Sequence, residues 1–249
     1  MPQPNILIAD IETSPNIGFF WRAGYRQSIT PDSIIEERRI ICISWKFEHE
    51  KRVHHLTWDK DRDDKKMLEK FHTVLEKADM VIAHNGDRFD IPWINTRLLY
   101  HGLPPFPKVK TLDTLRECRK SFYLNSNKLD YISQYIGREG KLSVPYSLWK
   151  DLMLLNRRKD LKKMVTYCDQ DILELEGVYQ AIKPYIANTF NLSSFYEDIT
   201  MCPKCGGHLQ KKGFLYTQVG KRQRYKCTDC GSSCSIGKSL TKNQSHHPR

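Results

Sequence analysis

Asn5-Ile6-Leu7-Ile8-Ala9-Asp10-Ile11-Glu12 is the stretch from which the rest of the chain can be read. A short, unbroken apolar run predicts a strand buried on both faces. This one ends in acid, so its carboxylates belong at a sheet edge or crevice. Side chains of an extended segment alternate with period two, which puts Asp10 and Glu12 on one face, able to grip a hard cation from one side. Taken alone, the pattern is weak evidence, and surface acids at a strand end explain it better.

Working outward, Arg39–Phe47 and Arg52–Trp58 read as two further strands joined by the polar Glu48–Lys51, an antiparallel meander. Residues Asp63–Lys77 carry Met67, Leu68, Phe71, Val74 and Leu75 at helical spacing, and Met80–Ala83 is another buried strand. Helical patterns come next at Pro92–Tyr100, Asp113–Ser121, Lys128–Ile136 and, ending near Pro184, Lys159–Tyr185. Strands early and helices late make the fold class α/β. Loss of helical periodicity from Asn188 to Thr200 places a domain boundary near residue 199.

Length allows one ordinary domain plus a small appendage. The formal charge of +11 is unevenly spread: residues 1–199 hold 30 Lys/Arg against 28 Asp/Glu, and residues 200–249 hold 10 against Asp229 alone. Such a basic end on a near-neutral body is the footprint of a phosphate-seeking attachment. No apolar run approaches the roughly 20 residues that span a bilayer, and Met1–Asp10 lacks the pattern of a secretory signal. A soluble, cytoplasmic protein is expected, with no membrane partner.

Two further acidic segments join the first. His84-Asn-Gly-Asp-Arg-Phe-Asp90 is a strand end, a tight polar turn and a helix start with Asp90 in its first turn. In Tyr167-Cys-Asp-Gln-Asp171, Tyr167 and Asp171 stand i and i+4 on a helix and share one face, whereas Asp169 and Glu174 point elsewhere and are expected to be solvated. Together the three segments resemble the DEDD superfamily of exonucleases with a ribonuclease H-like fold, in its tyrosine-bearing subclass. They are especially similar to the proofreading domains of family B DNA polymerases and to phage-type exonucleases. The match rests on Asp10-Ile-Glu12, on Asn85-Gly-Asp-Arg-Phe-Asp90 as N-x-x-x-F-D, and on Tyr167-Cys-Asp-Gln-Asp171 as Y-x-x-x-D, across roughly residues 5–186. The histidine subclass needs His five residues before the last acid, where this chain has Thr166.

The resemblance implies a mixed β-sheet flanked by helices and a two-metal centre using Mg²⁺ or Mn²⁺. Asp10 would bridge both ions, Glu12 and Asp171 would bind the one that activates water, Asp90 would support the second, and Tyr167 would orient the water. Two such ions about 3.5–4 Å apart supply the nucleophile, the charge stabilisation and the leaving-group help that phosphodiester cleavage requires. Asp87 stands at a variable position of the motif, and Asp113 reads as a helix cap or scaffold. Asn85 and Phe89 are candidate nucleic-acid contacts; Phe89 and Trp93 suit a core role as well.

Cys202-Pro-Lys-Cys205 and Cys227-Thr-Asp-Cys230, each followed by glycine, form C-x2-C-x21-C-x2-C. Four thiolates at this spacing make a closed tetrahedral site for one structural Zn²⁺, with Cys234 a spare thiol. Between the knuckles Lys211, Lys212, Arg222 and Arg224 are interleaved with aromatics, as on a nucleic-acid-binding zinc ribbon. The expected organisation is a nuclease-like domain over 1–199, a ribbon over 200–237 and a disordered tail over 238–249. The resemblance implies 3′–5′ hydrolysis of nucleic acid, single-stranded DNA or 3′ ends first and RNA second, with a replication or repair protein as partner. The alternatives are a non-catalytic nucleic-acid-binding protein of nuclease fold, against which the full set of acids argues, and a transposase-like endonuclease, which would not need Tyr167.

Overall fold

The computed structural model describes residues 4–22, 29–140, 144–187, 189–198, 200–218, 220–236 and 240. Packing divides the chain into two compact units, Met1–Tyr179 and Gln180–Arg249. This division precedes the expected boundary near 199 because the end of the long helix belongs to the second unit: the Lys204 ammonium donates to the Pro184 carbonyl at 2.7 Å.

In the first unit, β1 (Ile6–Thr13) is followed by two short strands, β2 (Ile17–Gly18) and β3 (Ile34–Glu36), which form a two-stranded sheet. Next come β4 (Ile40–Phe47), β5 (His54–Thr57), α1 (Lys65–Leu75), β6 (Met80–Ala83), α2 (Asp90–Tyr100) and β7 (Lys110–Asp113). Helices α3 (Thr114–Ser121), α4 (Leu129–Tyr135), α5 (Ser147–Leu155) and α6 (Arg158–Ile182) follow, the last three residues of α6 falling in the second unit. The sheet runs β5-β4-β1-β6-β7. β4 is antiparallel to β1 and β5, while β6 is parallel to β1 and β7. This is the mixed, helix-flanked α/β sheet expected. β7 and α5 are additions. The strand contains Lys110-Thr-Leu-Asp, too short and too polar to register as apolar periodicity.

β4 shows how one strand is covered twice. Ile43 and Trp45 pack with Met67, Leu68, Phe71 and Leu75 of α1, the predicted apolar stripe. Cys42 packs instead with Leu152, Met164 and Cys168 of α5 and α6. Each such fully buried aliphatic side chain contributes about 1.5–3 kcal/mol.

A polar anchor fixes α1 and α2 to this sheet. The buried Asp64 carboxylate accepts from Ile40 N at 3.0 Å and from Arg97 Nε and Nη2 at 2.8 Å each. His101 Nε2 donates to it at 2.7 Å. Burial alone would raise the Asp64 pKa, but the hydrogen bonds from Arg97, His101 and Ile40 outweigh it and hold the carboxyl below its ordinary value. With Asp63, these groups are spaced for a cation, yet the Arg97 guanidinium already occupies both Asp64 oxygens. Removing one partner of a buried ion pair costs about 3–5 kcal/mol, so Arg97→Ala should lower the denaturant midpoint by that equivalent. Because the folded pKa of Asp64 is depressed, its contribution is complete above the unfolded value near 4 and is lost as pH falls through the folded one. Asp64→Asn should therefore flatten the acid limb of a stability–pH curve. An unchanged limb would remove Asp64 as its source.

The second unit holds α7 (Leu192–Phe195), β8 (Leu209–Thr217), β9 (Gly220–Cys227) and β10 (Ser233–Ser235), the last three forming an antiparallel sheet in the order β10-β9-β8. The expected tail lies almost wholly outside the described residues. No helix among them is long and apolar enough to cross a membrane.

Candidate active site and cysteine cluster

β1 delivers the first two acids. Asp10 pairs in register with Ser44 and Glu12 with Cys42, and the register then slips between Glu12 and Thr13. α6 delivers the third. Carboxylate oxygens of Asp10, Glu12 and Asp171 lie within 4.8 Å of one another, with Asp171 almost fully buried.

Asp90 opens α2, where the helix dipole favours an acid. It is buried and accepts a hydrogen bond from Ile11 N at 3.2 Å, which ties it to the residue between Asp10 and Glu12. Burial first, and then the charge of Asp10, push its pKa well above the ordinary carboxylate range. The approach depends on Gly86: a Cβ there would stand 2.3 Å from the Ala83 Cβ. Asn85 takes a left-handed backbone with φ 69° and receives the N–H groups of Arg88 and Phe89 on its carbonyl. Asparagine adopts that conformation more readily than other side chains.

Tyr167 stands one helical turn before Asp171 in α6, half-buried with its ring edge-on to Trp149 at 6.2 Å. The other acids of α6 behave differently from expectation. Asp169 accepts from Ser44 Oγ at 2.7 Å and lies 3.1 Å from His55 Nδ1. Glu176 holds the buried Lys46 ammonium at 2.6 Å. Glu174 is buried, bonded to Arg138 Nε at 2.9 Å and to Ser133 Oγ, not solvated. Helical periodicity alone does not reveal these partners, which come from β4, β5, α4 and the segment after α4.

Of the neighbours, Asp113 caps α3 by accepting from Arg116 N and also accepts from Asn85 N. Asp87 is paired with Arg116 at 2.8 Å. His84 bonds Thr114 Oγ1 and the Asn127 carbonyl. Phe89 is partly exposed beside Trp93, whose ring lies under Arg38. Cys168, not singled out in sequence, places its thiol 3.6 Å from Asp10 Oδ2.

In the second unit the sulfurs of Cys202, Cys205, Cys227 and Cys230 converge, with Cys202–Cys230 at 3.8 Å and Cys205–Cys227 at 3.5 Å. Four sulfurs about 2.3 Å from a tetrahedral centre stand about 3.8 Å apart, so the donor set fits zinc. Backbone N–H groups of Lys204 and Gly207 point at the first pair. Cys234 lies outside this group, on β10 opposite Tyr225.

The hairpin gathers its rings on one face. β8–β9 pairs Phe214 with Gln223 and Tyr216 with Lys221, and the Lys221 ammonium sits 4.7 Å from the Phe214 ring centre. Strand alternation puts Tyr225 and Lys211 on this aromatic face and Arg222, Arg224 and Lys226 on the other. Lys212 and Lys226 share a cavity of about 570 Å³ with residues of the second knuckle. The aromatic face thus keeps Lys211 and Lys221 among its rings, while Arg222 and Arg224 lie on the opposite face.

These geometries agree with the kinship of the chain. The family model RNase_H_2, of the RNase_H superfamily, matches residues 36–183, and the chain belongs to that superfamily. The matched span includes Asp90, Tyr167 and Asp171 but starts after Asp10 and Glu12. The catalytic subunit of DNA polymerase epsilon from Dictyostelium discoideum is 24% identical over 212 residues, covering 74% of this chain and 9% of that protein. The chain thus spans under a tenth of that relative's length. The family B DNA polymerase of the hyperthermophilic archaeon Pyrobaculum calidifontis shares the fold, with TM-score 0.56 and 15% identity over 88% of this chain and 32% of that one. Together these support a nuclease in the general sense.

Proposed function

We propose that this chain is a metal-dependent 3′–5′ exonuclease of the tyrosine-bearing DEDD type, acting on single-stranded DNA or 3′ ends, with RNA as the second substrate class. The observation that carries this reading is the convergence of Asp10, Glu12 and Asp171 within 4.8 Å, with Asp90 tied to Ile11 beside them. Four carboxylates gathered this closely repel one another, and hard divalent cations such as Mg²⁺ or Mn²⁺ take oxygen ligands. Asp10, Glu12 and Asp171 would hold one ion, and Asp10 with Asp90 a second. When bound, the pair supplies a nucleophilic water and stabilises charge on the phosphate.

The chain's own groups do the rest. Tyr167, with a phenol pKa ordinarily near 10, orients the water and does not deprotonate it. The water oxygen bonds to phosphorus, the bond from phosphorus to the 3′ oxygen breaks, and that oxygen takes up a proton, releasing a nucleoside 5′-monophosphate. The four cysteines hold one structural Zn²⁺, and the ribbon binds the strand through Lys211, Lys212, Arg222 and Arg224, with Asn85 and Phe89 as contacts near the acids. A replication or repair protein is the partner this activity would serve.

The test uses 5′-labelled single-stranded DNA and RNA with Mg²⁺, Mn²⁺ or EDTA. A metal-dependent ladder shortening from the 3′ end is expected, and Tyr167→Phe should lower kcat about tenfold to a hundredfold with KM little changed. Internal cuts would point to an endonuclease, and binding without cleavage under either metal would refute the enzyme reading.

A further inference from the structure

The two longest strands of the second unit are joined so that their aromatic side chains meet. Lys211 pairs with Tyr225 and Phe214 with Gln223, so Lys212 and Gly213 together oppose Arg224 alone. Such a bulge shifts the alternation of one strand by one residue. Without it Lys211 and Phe214, three residues apart, would point to opposite sides. With it, Lys211, Phe214, Tyr216, Lys221 and Tyr225 share one face. Gly213 makes the bulge possible: its φ of 79° lies in the left-handed region, which costs glycine little. Side chains then lock it, Gln223 Nε2 donating to the Gly213 carbonyl at 2.8 Å and Arg224 Nε to the Lys212 carbonyl at 2.9 Å.

This face is open and cationic. Tyr216 is 74% exposed and Phe214 39%, and Tyr225 is half-buried nearer the cysteine knuckles. Leaving such rings in water forgoes the stabilisation that burial would bring. The Phe214 and Tyr216 rings stand 6.5 Å apart at 62°, so neither covers a face of the other. The Lys221 ammonium covers one side of the Phe214 ring. No Asp or Glu occurs in β8, β9 or β10, and from residue 200 onward ten Lys/Arg stand against Asp229 alone. Asp229 sits in the second knuckle, beside Gly207 and hydrogen-bonded to the Thr228 hydroxyl. An occupant of this face therefore combines negative charge with flat apolar surfaces. A strand of unpaired nucleotides has both, whereas a duplex hides its base faces in the stack and an acidic protein surface lacks a series of flat rings.

We propose that the face bearing Phe214, Tyr216 and Tyr225 stacks the bases of an unpaired nucleic-acid strand while Lys211 and Lys221 hold its phosphates, so that the ribbon selects single strands over duplex. The proposal deepens the role given above to the ribbon and rests on that reading. Stacking accepts every base, since each has a π face, and it does not read the 2′-hydroxyl. The ribbon should therefore take single-stranded DNA and RNA alike, leaving any choice of sugar to the acidic site. Arg222 and Arg224, on the opposite face, are left to phosphate contacts, which carry no such selectivity.

The test measures binding by the zinc-loaded full chain by fluorescence anisotropy, with Mg²⁺ and Mn²⁺ omitted so that nothing is cut. Three probes of equal length are compared: an oligothymidylate, a strand abasic throughout, and a duplex. Wild type should prefer the oligothymidylate to both others. Phe214→Ala combined with Tyr216→Ala should weaken oligothymidylate binding by about thirtyfold or more, while the other two probes change less than about twofold. Replacing the same two residues with tryptophan should restore binding. If the alanine pair loses zinc, the leucine pair, which keeps apolar bulk without a flat ring, takes its place. Lys211→Gln with Lys221→Gln should instead lower the salt slope of oligothymidylate binding by about 1.4, two phosphate contacts at about 0.7 each. Equal losses on all three probes, or none on the oligothymidylate, would overturn the proposal. So would a dimer in sedimentation that the alanine pair abolishes while strand binding is unchanged. Cleavage of a dinucleotide in Mn²⁺ separates the two readings. Ring-dependent strand binding by a protein that cuts nothing would refute the nuclease and keep the ribbon face, and ring-independent binding by a protein that cuts would refute the face alone.

Discussion

Asp10→Ala should lower metal-dependent cleavage by about a thousandfold or more, equivalent to about 4 kcal/mol of barrier. Asp10 stands where every other acid of the site can be reached: its oxygens lie with those of Glu12 and Asp171, and its charge is the neighbour that most raises Asp90 after burial. Removing it takes a shared ligand from both proposed ions. Loss of activity through unfolding can be separated by the sign of the stability change. The folded pKa of Asp90 is raised, so the stability linked to its protonated form is present below the unfolded pKa and lost as pH rises through the folded one. Without the Asp10 charge that loss shrinks. In EDTA at neutral pH, Asp10→Ala should therefore melt no lower than wild type, and Mn²⁺ should raise its Tm less. A variant that retained a tenth of wild-type turnover would refute the central role given to Asp10.

Removing the metal from the cysteine cluster should unfold the ribbon while leaving the first unit folded. Structural zinc in small cysteine modules binds with an apparent free energy of about 10–16 kcal/mol, which is at the same time folding free energy. The second unit has few buried apolar side chains to replace it. Among the residues of β8 only Leu209 is not exposed, and Cys202 and Cys227 are themselves the main buried side chains of the ribbon. Replacing Cys227 and Cys230 together with serine should abolish stoichiometric zinc in elemental analysis and collapse the amide dispersion of residues 202–235. It should also weaken salt-dependent binding of long strands while a dinucleotide is still cut. Full dispersion without metal would mean that the sheet carries its own stability.

Legibility in the sequence followed the range of the interaction. β1, β4, α1 and β6 were readable because burial on one or two faces imposes a local periodicity, and the Tyr167–Asp171 pairing because a helix fixes i and i+4. The CxxC knuckles are local too, and Asp113 as a cap is set by residues three apart. The features that escaped are non-local. β7 is recognisable mainly through its parallel pairing with β6, and Glu174 looks like a surface acid because Ser133 of α4 and Arg138 of the segment after it are brought to it from elsewhere in the chain. The same holds for Cys168 against Asp10. On the ribbon, the interleaving of Lys, Arg and aromatics is legible, but not that alternation along the strands leaves Lys211 and Lys221 with the rings and turns Arg222 and Arg224 to the opposite side.

The tethers of α6 bear on how the centre behaves over time. Asp169 and Glu176 are bound to Ser44 and Lys46 of β4, and Glu174 to Arg138 beyond α4, so the helix can neither roll nor slip along its axis without breaking several contacts together. Amide protons around Asp171 belong with those exchanged only through global opening. The acidic cluster then has no independent loose state: it persists as long as the sheet does.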